Sequence, residues 1–331
     1  MKGLAFNCAV VLYCSRFFIS LAVSAMSFVW KYLPVFIIWL TGLSMMDTAL
    51  HQVTPPLGHV SWLAVLPLAV SLVLLAFVCR KEHGMFHIRG YLLQSAILSG
   101  VYLIPLLRSS SEPLAPDTHR LIYEASALVE FTILVLHGRT WLKGHDWAWI
   151  FGITSIFGMI LENGGILMGF FREEGYLLYL PGLPAPIATM AGWVSVLYCG
   201  FFSVQMLLPD MRPMLKGFVC AGIALSMDIP FDPVATRLSW WVWNDSLVLS
   251  IWGVPAVNFV AWFWALFPYA WCFHAIREKK GMGEGKKMAL FSALIPVILA
   301  VELSGVVMSL MVLGDAAALQ VVVQFFRRIV G

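Results

Sequence analysis

Long apolar stretches, separated by short polar segments, run along most of this chain. A helix that crosses a bilayer needs about 20 mainly apolar residues. Stretches of that length predict transmembrane helices over residues 32–50, 60–79, 88–107, 120–137, 147–168, 186–208, 215–232, 254–275 and 288–313. No connecting segment is long enough to hold a soluble domain. The pattern therefore predicts an all-α, polytopic integral membrane helical bundle of about 8–10 transmembrane helices, with its core over residues 31–313.

The two ends of the chain differ from this core. Residues 1–30 form an apolar segment that Arg16 interrupts, which favours an extra or interfacial helix. Residues 314–331 carry apolar residues at helical spacing and end near Arg327 and Arg328. This pattern predicts an amphipathic C-terminal tail that lies along the membrane surface.

Composition agrees with a protein whose solvent includes lipid. The 331 residues are 60% hydrophobic and 12% charged, and the mean hydropathy is +0.86. A soluble domain has about 25% charged residues. The formal net charge of +3 is too small to indicate a nucleic-acid partner, so membrane lipid is the partner that composition predicts.

The connecting segments alternate in charge, which predicts the topology. Four are basic, namely 80–89, 137–146, 209–216 and 277–287, whereas 108–120, 171–186 and 236–246 are weakly charged or acidic. The positive-inside rule places the basic set in the cytoplasm. We therefore expect a multi-pass protein of the cell (cytoplasmic) membrane.

Of the carboxylates inside predicted membrane helices, three are the main candidates for chemistry: Glu162, Asp228 and Asp232. An unpaired charge at this depth costs a few kcal/mol, so such a residue faces the protein interior, has a partner, or stays protonated. The predicted topology places all three in the extracytoplasmic leaflet, and Asn258 near the same surface. A protonated carboxyl group in an apolar pocket can serve as a general acid, whereas the structural alternative is a buried polar cluster that fixes helix packing.

The sequence around the two aspartates, DIPFDP, carries conflicting signals. A spacing of four residues places Asp228 and Asp232 on one helical face. Pro230 and Pro233 remove amide donors and disfavour helix before them, which predicts a kinked or broken helix end.

Other charged residues are interpreted as partners of these carboxylates or as packing and surface groups. Arg108, Arg120 and Arg237, at outer helix ends, are candidate partners for the carboxylates. Glu130 and Glu302 are interpreted as packing or surface groups.

Aromatic residues are frequent around these positions. They include Tyr176, Tyr179, Trp193, Trp240, Trp243 and Trp262. An interfacial belt accounts for tryptophan and tyrosine near a membrane surface, while aromatic faces can also stabilise a carbocation. The sequence contains no glycine-rich phosphate loop, GxSxG, HExxH, DDxxD or CxxC motif, and its histidines are scattered. The missing DDxxD motif counts against an intramembrane prenyltransferase, and the scattered histidines count against a di-iron desaturase.

Several segments, taken in order, resemble those of a known family. They are ENGGILMG (162–169), GYLLY (175–179), LPAPIA (183–188), DIPFDPVA (228–235), WWVW (240–243) and WGVPAVNFVAW (252–262). Over residues 120–275 the chain resembles the membrane-bound carotenoid biosynthesis proteins that include carotenoid 1,2-hydratases and bisanhydrobacterioruberin hydratase. The resemblance implies a cofactor-free hydro-lyase that adds water to the terminal C1–C2 double bond of an acyclic, lycopene-like carotenoid. Other carotenoid enzymes are then candidate partners.

The resemblance also implies roles for residues. The expected catalytic residues are Asp228, Asp232 and Glu162, and the expected substrate-binding residues are Tyr176, Tyr179, Trp193, Trp240, Trp243, Asn258 and Trp262. Two alternatives stay open: a non-catalytic carotenoid-binding membrane scaffold, and a proton-coupled lipid or small-molecule transporter. A transporter predicts ionisable residues that continue to the cytoplasmic leaflet.

Overall fold

Helices make up most of the described chain, because backbone polar groups within lipid have to be paired inside their own segment. A computed structural model describes residues 27, 30–49, 63, 65–81, 115–142 and 146–330. Its helices are α1 (Leu33–Asp47), α2 (Val65–Lys81), α3 (Pro116–Trp141), α4 (Asp146–Ala148), α5 (Thr154–Met168), α6 (Ile187–Leu207), α7 (Pro213–Arg237), α8 (Ala256–Arg277), α9 (Glu284–Leu313) and α10 (Ala316–Val330), and a π-helical segment, Trp149–Ile153, joins α4 to α5. Its strands are β1 (Phe171–Arg172), β2 (Val242–Trp243), β3 (Ser250–Ile251) and β4 (Val254–Pro255).

The described residues contain six helices that are long and apolar enough to cross a membrane. They are Pro116–Trp141, Trp149–Met168, Ile187–Leu207, Pro213–Arg237, Ala256–Arg277 and Glu284–Leu313. Each matches a span predicted from the sequence, which confirms an all-α polytopic bundle and a multi-pass membrane protein. The predicted spans 32–50 and 60–79 correspond to the shorter helices α1 and α2. The predicted span 88–107 and nearly all of residues 1–30 lie outside the described residues.

Helices α6, α7 and α8 pack closely because glycines occupy their contacts. A Cβ on Gly217 of α7 would lie 2.7 Å from the backbone nitrogen of Trp271 in α8. A Cβ on Gly200 of α6 would lie 3.3 Å from the backbone oxygen of Cys220 in α7. In lipid, where burial of apolar groups gives helices little drive to associate, such close approach supplies the van der Waals contact that holds them together.

One half of the bundle is filled by aromatic side chains. Phe157 of α5 stacks on Tyr269 of α8 with ring centroids 4.2 Å apart, and Phe201 of α6 stacks on Phe273 of α8 at 4.5 Å. These rings are buried in the main apolar core. They lie in the half of each helix nearer the basic segments 209–216 and 277–287, so this half is densely packed.

Two connecting segments, 169–186 and 238–255, cover the opposite end and are referred to as the loop cap. Strand β1 pairs antiparallel with β2, with Phe171 opposite Trp243. The side-chain amide of Asn244 donates to the Gly169 carbonyl at 2.8 Å. Gly169 itself, at φ 92°, ends α5 in a left-handed conformation that favours glycine. These bonds fix both segments relative to each other.

The C-terminal tail forms the helix α10 and packs on the bundle. Ala318, Val321 and Val322 are buried in a cluster with Phe170 of the loop cap and Leu310 of α9. The opposite face is exposed and ends in Arg327 and Arg328. The tail is thus an amphipathic helix, as its spacing predicts, and its apolar face contacts protein.

Candidate functional site

A cavity of about 660 Å³ lies beneath the loop cap. Each long helix contributes its half nearest the cap, for example the ends of α5 and α7 and the beginnings of α6 and α8. Of the residues predicted for the site, those that line the cavity are Glu162, Trp193, Asp228, Asp232, Trp240, Trp243, Asn258 and Trp262. The fold therefore brings together residues that are up to a hundred positions apart in sequence.

Asp228 and Asp232 lie side by side on α7, each only 3% exposed. Of the predicted kinked or broken helix end, the break is wrong, because α7 continues through Pro230 and Pro233 as far as Arg237. Neighbouring helices stabilise the helix despite its two missing amide donors, which is tolerated where protein surrounds the backbone. Both carboxyl groups consequently occupy one helical face at the cavity wall.

Asn258 at the start of α8 joins the two aspartates. Its Nδ2 donates to Asp228 Oδ2 at 3.4 Å and also to Asp232 Oδ2. Both carboxyl groups therefore meet at one nitrogen atom, and two carboxyl groups this close favour a shared proton because both cannot be ionised without repulsion. The group is an adjoining carboxyl pair held in position by an amide.

Glu162 of α5 faces the same cavity from a different helix. The indole Nε1 of Trp193 donates to Glu162 Oε2 at 2.7 Å. A Cβ on Gly158 would lie 2.8 Å from Trp193 Cβ, so this glycine allows α5 to approach α6 at the indole. Trp193 also stacks on Trp262 of α8, with centroids 4.0 Å apart and planes at 11°.

Glu173 of the loop cap is a further buried carboxylate, and sequence reasoning did not select it. It is 4% exposed, and its carboxyl group lies close enough to Glu162 to be affected by that group's charge. Thr189 donates a longer hydrogen bond to Glu173 Oε2, at 3.4 Å. Burial, and then the negative charge of Glu162, raise the pKa of Glu173 well above the ordinary glutamate value of 4.5. The sequence indicates Glu173 only by its position, because it follows the end of α5 by a few residues, at the end of the bundle where the other carboxylates lie.

The aromatic wall is formed by stacked rings. Tyr123 of α3 stacks on Trp240 at 4.5 Å with planes at 16°, and Phe231 lies 5.5 Å from Trp240. Trp243 lines the cavity beside them, and its indole Nε1 donates to Thr236 at 3.0 Å. Tyr123 was not selected from the sequence, because its place beside Trp240 depends on the packing of α3 against the loop cap.

Tyr176 and Tyr179 lie in the loop cap and are not among the residues that line the cavity. The Tyr176 hydroxyl donates to the Trp240 carbonyl at 3.0 Å, and the Tyr179 hydroxyl donates to the Glu173 carbonyl at 3.2 Å. Glu124 of α3 accepts hydrogen bonds from the amides of residues 177 and 178. In this arrangement the two tyrosines and Glu124 hold the loop that covers the cavity.

Of the arginines predicted as partners, Arg120 and Arg237 are not among the residues that line the cavity, and Arg108 lies outside the described residues. Arg120 contacts Asp117 at 3.1 Å and donates to the Ser239 carbonyl at 2.9 Å. By contrast, Glu130 and Glu302, interpreted from the sequence as packing or surface groups, both line the cavity. The depth criterion that selected the other carboxylates applies equally to these two.

The described part of the chain contains no group of three or more histidine, cysteine, aspartate or glutamate side chains placed to hold a metal ion. The site instead combines protonatable groups, amide donors and aromatic faces. Such a set can transfer a proton and stabilise positive charge on a bound molecule.

Glu173→Gln is expected to alter how stability depends on pH. Because the folded protein holds a proton on Glu173 that the unfolded chain releases above about pH 4.5, its stability falls as pH rises through that range. Glutamine cannot lose this proton, so the variant should be more stable near neutral pH and its pH profile flatter. The measurement is the thermal midpoint of detergent-purified protein across a pH series.

The matched control is Glu174→Gln, which removes an exposed carboxylate from the same loop. This control should keep the pH profile of the parent protein. Identical profiles for all three proteins would show that Glu173 is ionised when folded.

Comparison with known proteins yields no match: no family model, no curated protein and no solved structure corresponds to this chain. The resemblance to carotenoid hydratases thus rests on the short segments between residues 162 and 262. The residues that line the cavity are the structural evidence on function.

Proposed function

We propose that this protein hydrates the terminal C1–C2 double bond of an acyclic carotenoid, giving a tertiary alcohol in carotenoid biosynthesis. The observation that carries the proposal is an adjoining carboxyl pair, Asp228 and Asp232, in an aromatic cavity that a third carboxylate, Glu162, also lines. Alkene hydration needs these components: an acid, a surface that tolerates a cation, and a base for water.

The first step is protonation of the alkene. The proton shared by Asp228 and Asp232 passes to C2, and the π electrons form the new C–H bond, leaving a tertiary cation at C1. A carboxyl group in an apolar site stays protonated at neutral pH and is therefore available as a donor, and the carboxylate that it leaves stabilises the cation at C1. Asn258 keeps both oxygens in place by donating to each.

The second step is capture of the cation by water. The faces of Trp193, Trp240 and Trp243 stabilise the positive charge through their ring quadrupoles. Glu162 accepts the proton that water loses as its oxygen bonds to C1, and transfer back to the aspartate pair restores the starting state. Water and alkene are consumed in equal amounts, and the reaction needs no oxidant or reductant.

The position of the cavity suits a long polyene. Its end of the bundle is opposite the basic segments, so the positive-inside rule supports a site in the extracytoplasmic leaflet of the cell membrane. A carotenoid that spans the roughly 30 Å hydrocarbon core would present its terminal group at this depth, near interfacial water.

Expression of the chain in a lycopene-accumulating host tests the proposal. We expect new pigments heavier by one water for each modified end, detected by mass spectrometry of the extract. The control is the same host with an empty vector. Unchanged pigments in the presence of folded, membrane-inserted protein would contradict hydration.

Two further measurements separate the alternatives. A scaffold would copurify with pigment of unchanged mass, and a transporter would show proton-coupled flux in proteoliposomes. The other half of the bundle is mainly aromatic but also buries His137, Lys216 and His274, so the flux measurement decides whether a polar path crosses it.

A further inference from the structure

The cavity has more acidic groups than its walls supply basic partners for. Its lining includes the carboxylates Glu130, Glu162, Asp228, Asp232 and Glu302, whereas His119 is the one basic side chain among the described lining residues, which include no lysine or arginine. An ionised carboxylate without a partner is costly in a medium of low polarity. A ligand that brings its own positive charge would relieve this cost.

Glu302 provides an independent indication of an unfilled position. It lies on α9, on a different helix from the other carboxylates, and its Oε2 is buried without a hydrogen-bond partner in the described structure. Buried polar atoms are almost always paired, so an unpaired carboxylate oxygen in a cavity wall indicates a missing donor or cation.

The aromatic faces in the cavity are suited to the same ligand. Trp193 and Trp262 present a stacked pair, and Tyr123 and Trp240 present another. The hydrogen bond from the Trp193 indole to Glu162 adds electron density to that ring. The stacked rings and this hydrogen bond both favour binding of a cation at the ring faces, particularly a cation that binds water weakly.

We propose that the cavity binds elongated hydrophobic cations, in which a quaternary ammonium or protonated tertiary amine ends an isoprenoid or alkyl chain. The charged group lies among the carboxylates and aromatic faces, and the chain occupies the apolar remainder of the roughly 660 Å³ space. Cavities of about 300–1,000 Å³ bury a ligand of this size. A strongly hydrated cation without a chain gains neither the ring contacts nor the apolar burial.

This binding follows from the cavity and does not depend on catalysis. Where hydration occurs, the same molecules resemble the tertiary cation formed at C1 and are expected to inhibit, since an enzyme binds its high-energy species more tightly than its substrate. Binding and inhibition are therefore measured separately.

The test compares geranyltrimethylammonium with its neutral isostere, in which a quaternary carbon replaces nitrogen. The full chain is incorporated into nanodiscs of zwitterionic lipid, and binding is followed by tryptophan fluorescence against protein-free nanodiscs. We expect the ammonium compound to bind at least about tenfold more tightly than the isostere. Equal affinities for the two would overturn the proposal.

Variants locate the effect in the cavity. Asp228→Asn combined with Asp232→Asn should lower ammonium affinity about tenfold while leaving the isostere unaffected, and Glu302→Gln should act in the same direction. Asp315→Asn is the control, because Asp315 is a buried carboxylate at the start of α10 that is not among the cavity residues. Equal loss of both ligands in the cavity variants, or an effect of the control as large as theirs, would also overturn it.

The outcomes remain distinct from those of the hydration experiment. Selective ammonium binding without any hydrated pigment would support this inference and contradict the proposed reaction. Hydrated pigment together with equal affinity for the two probes would support the proposed reaction and contradict this inference.

Discussion

Asp228→Asn and Asp232→Asn, introduced together, are expected to lower the rate of carotenoid hydration by about 10²–10⁴-fold. Asparagine has nearly the same shape as aspartic acid but cannot transfer a proton to carbon, so the cavity is retained while its acid is lost. Product formation per mole of folded protein is measured by mass spectrometry in the lycopene-accumulating host. Thermal unfolding of the purified variant checks the fold, which we expect to be at least as stable as the parent.

The two single substitutions show which of the aspartates donates the proton. If one aspartate donates the proton and the other holds it, Asp228→Asn and Asp232→Asn should differ in their residual rates. Asp315→Asn again serves as the control, since asparagine is as effective as aspartate at a helix N-terminus. Hydration at the parental rate by the double variant would exclude the pair as the acid.

Gly217→Leu is expected to destabilise the bundle by about 3 kcal/mol or more, and to leave little folded protein after extraction. The added side chain would meet the backbone of Trp271 in α8, and backbone cannot rotate away as a side chain can. Helices α7 and α8 would have to separate along the contact that also places Asp228 beside Asn258. Fluorescence-detected size exclusion after a temperature series measures the loss.

Gly222→Leu on the same helix is the matched control. No atom lies within 4 Å of a Cβ placed there, and Gly222 is exposed on the outer face of α7. This variant should retain the parental thermal midpoint. A similar loss in both variants would mean that helix conformation, rather than contact with α8, makes glycine necessary.

The transmembrane helices could be predicted because the signal is local. Each of the six long helices follows from about 20 apolar residues in sequence, and their ends differ from the prediction by at most a few residues. Helix α7 is the exception that shows the limit. Pro230 and Pro233 predict an early end, yet the helix continues to Arg237 because neighbouring helices surround it.

The candidate site could be predicted in part. Glu162, Asp228 and Asp232 stand out because a carboxylate is costly at membrane depth. Glu173 does not, since a carboxylate in a connecting loop is ordinarily solvated, and its burial arises from the folding of the loop cap over the cavity. Tyr176 was expected to bind the substrate, but its hydroxyl donates a hydrogen bond to the backbone of the loop cap.

The sequence by itself determined that this is a multi-pass helical membrane protein and that Glu162, Asp228 and Asp232 cannot face lipid uncompensated. Both conclusions follow from the free energy of transferring each segment from water to lipid, which depends on that segment's own residues. The tertiary structure decided which groups meet: Asp228 and Asp232 at the Asn258 amide, the Trp193 indole at Glu162, and Glu173 beneath the loop cap. Those contacts depend on how helices rotate and pack, and glycine contacts between distant segments set that packing.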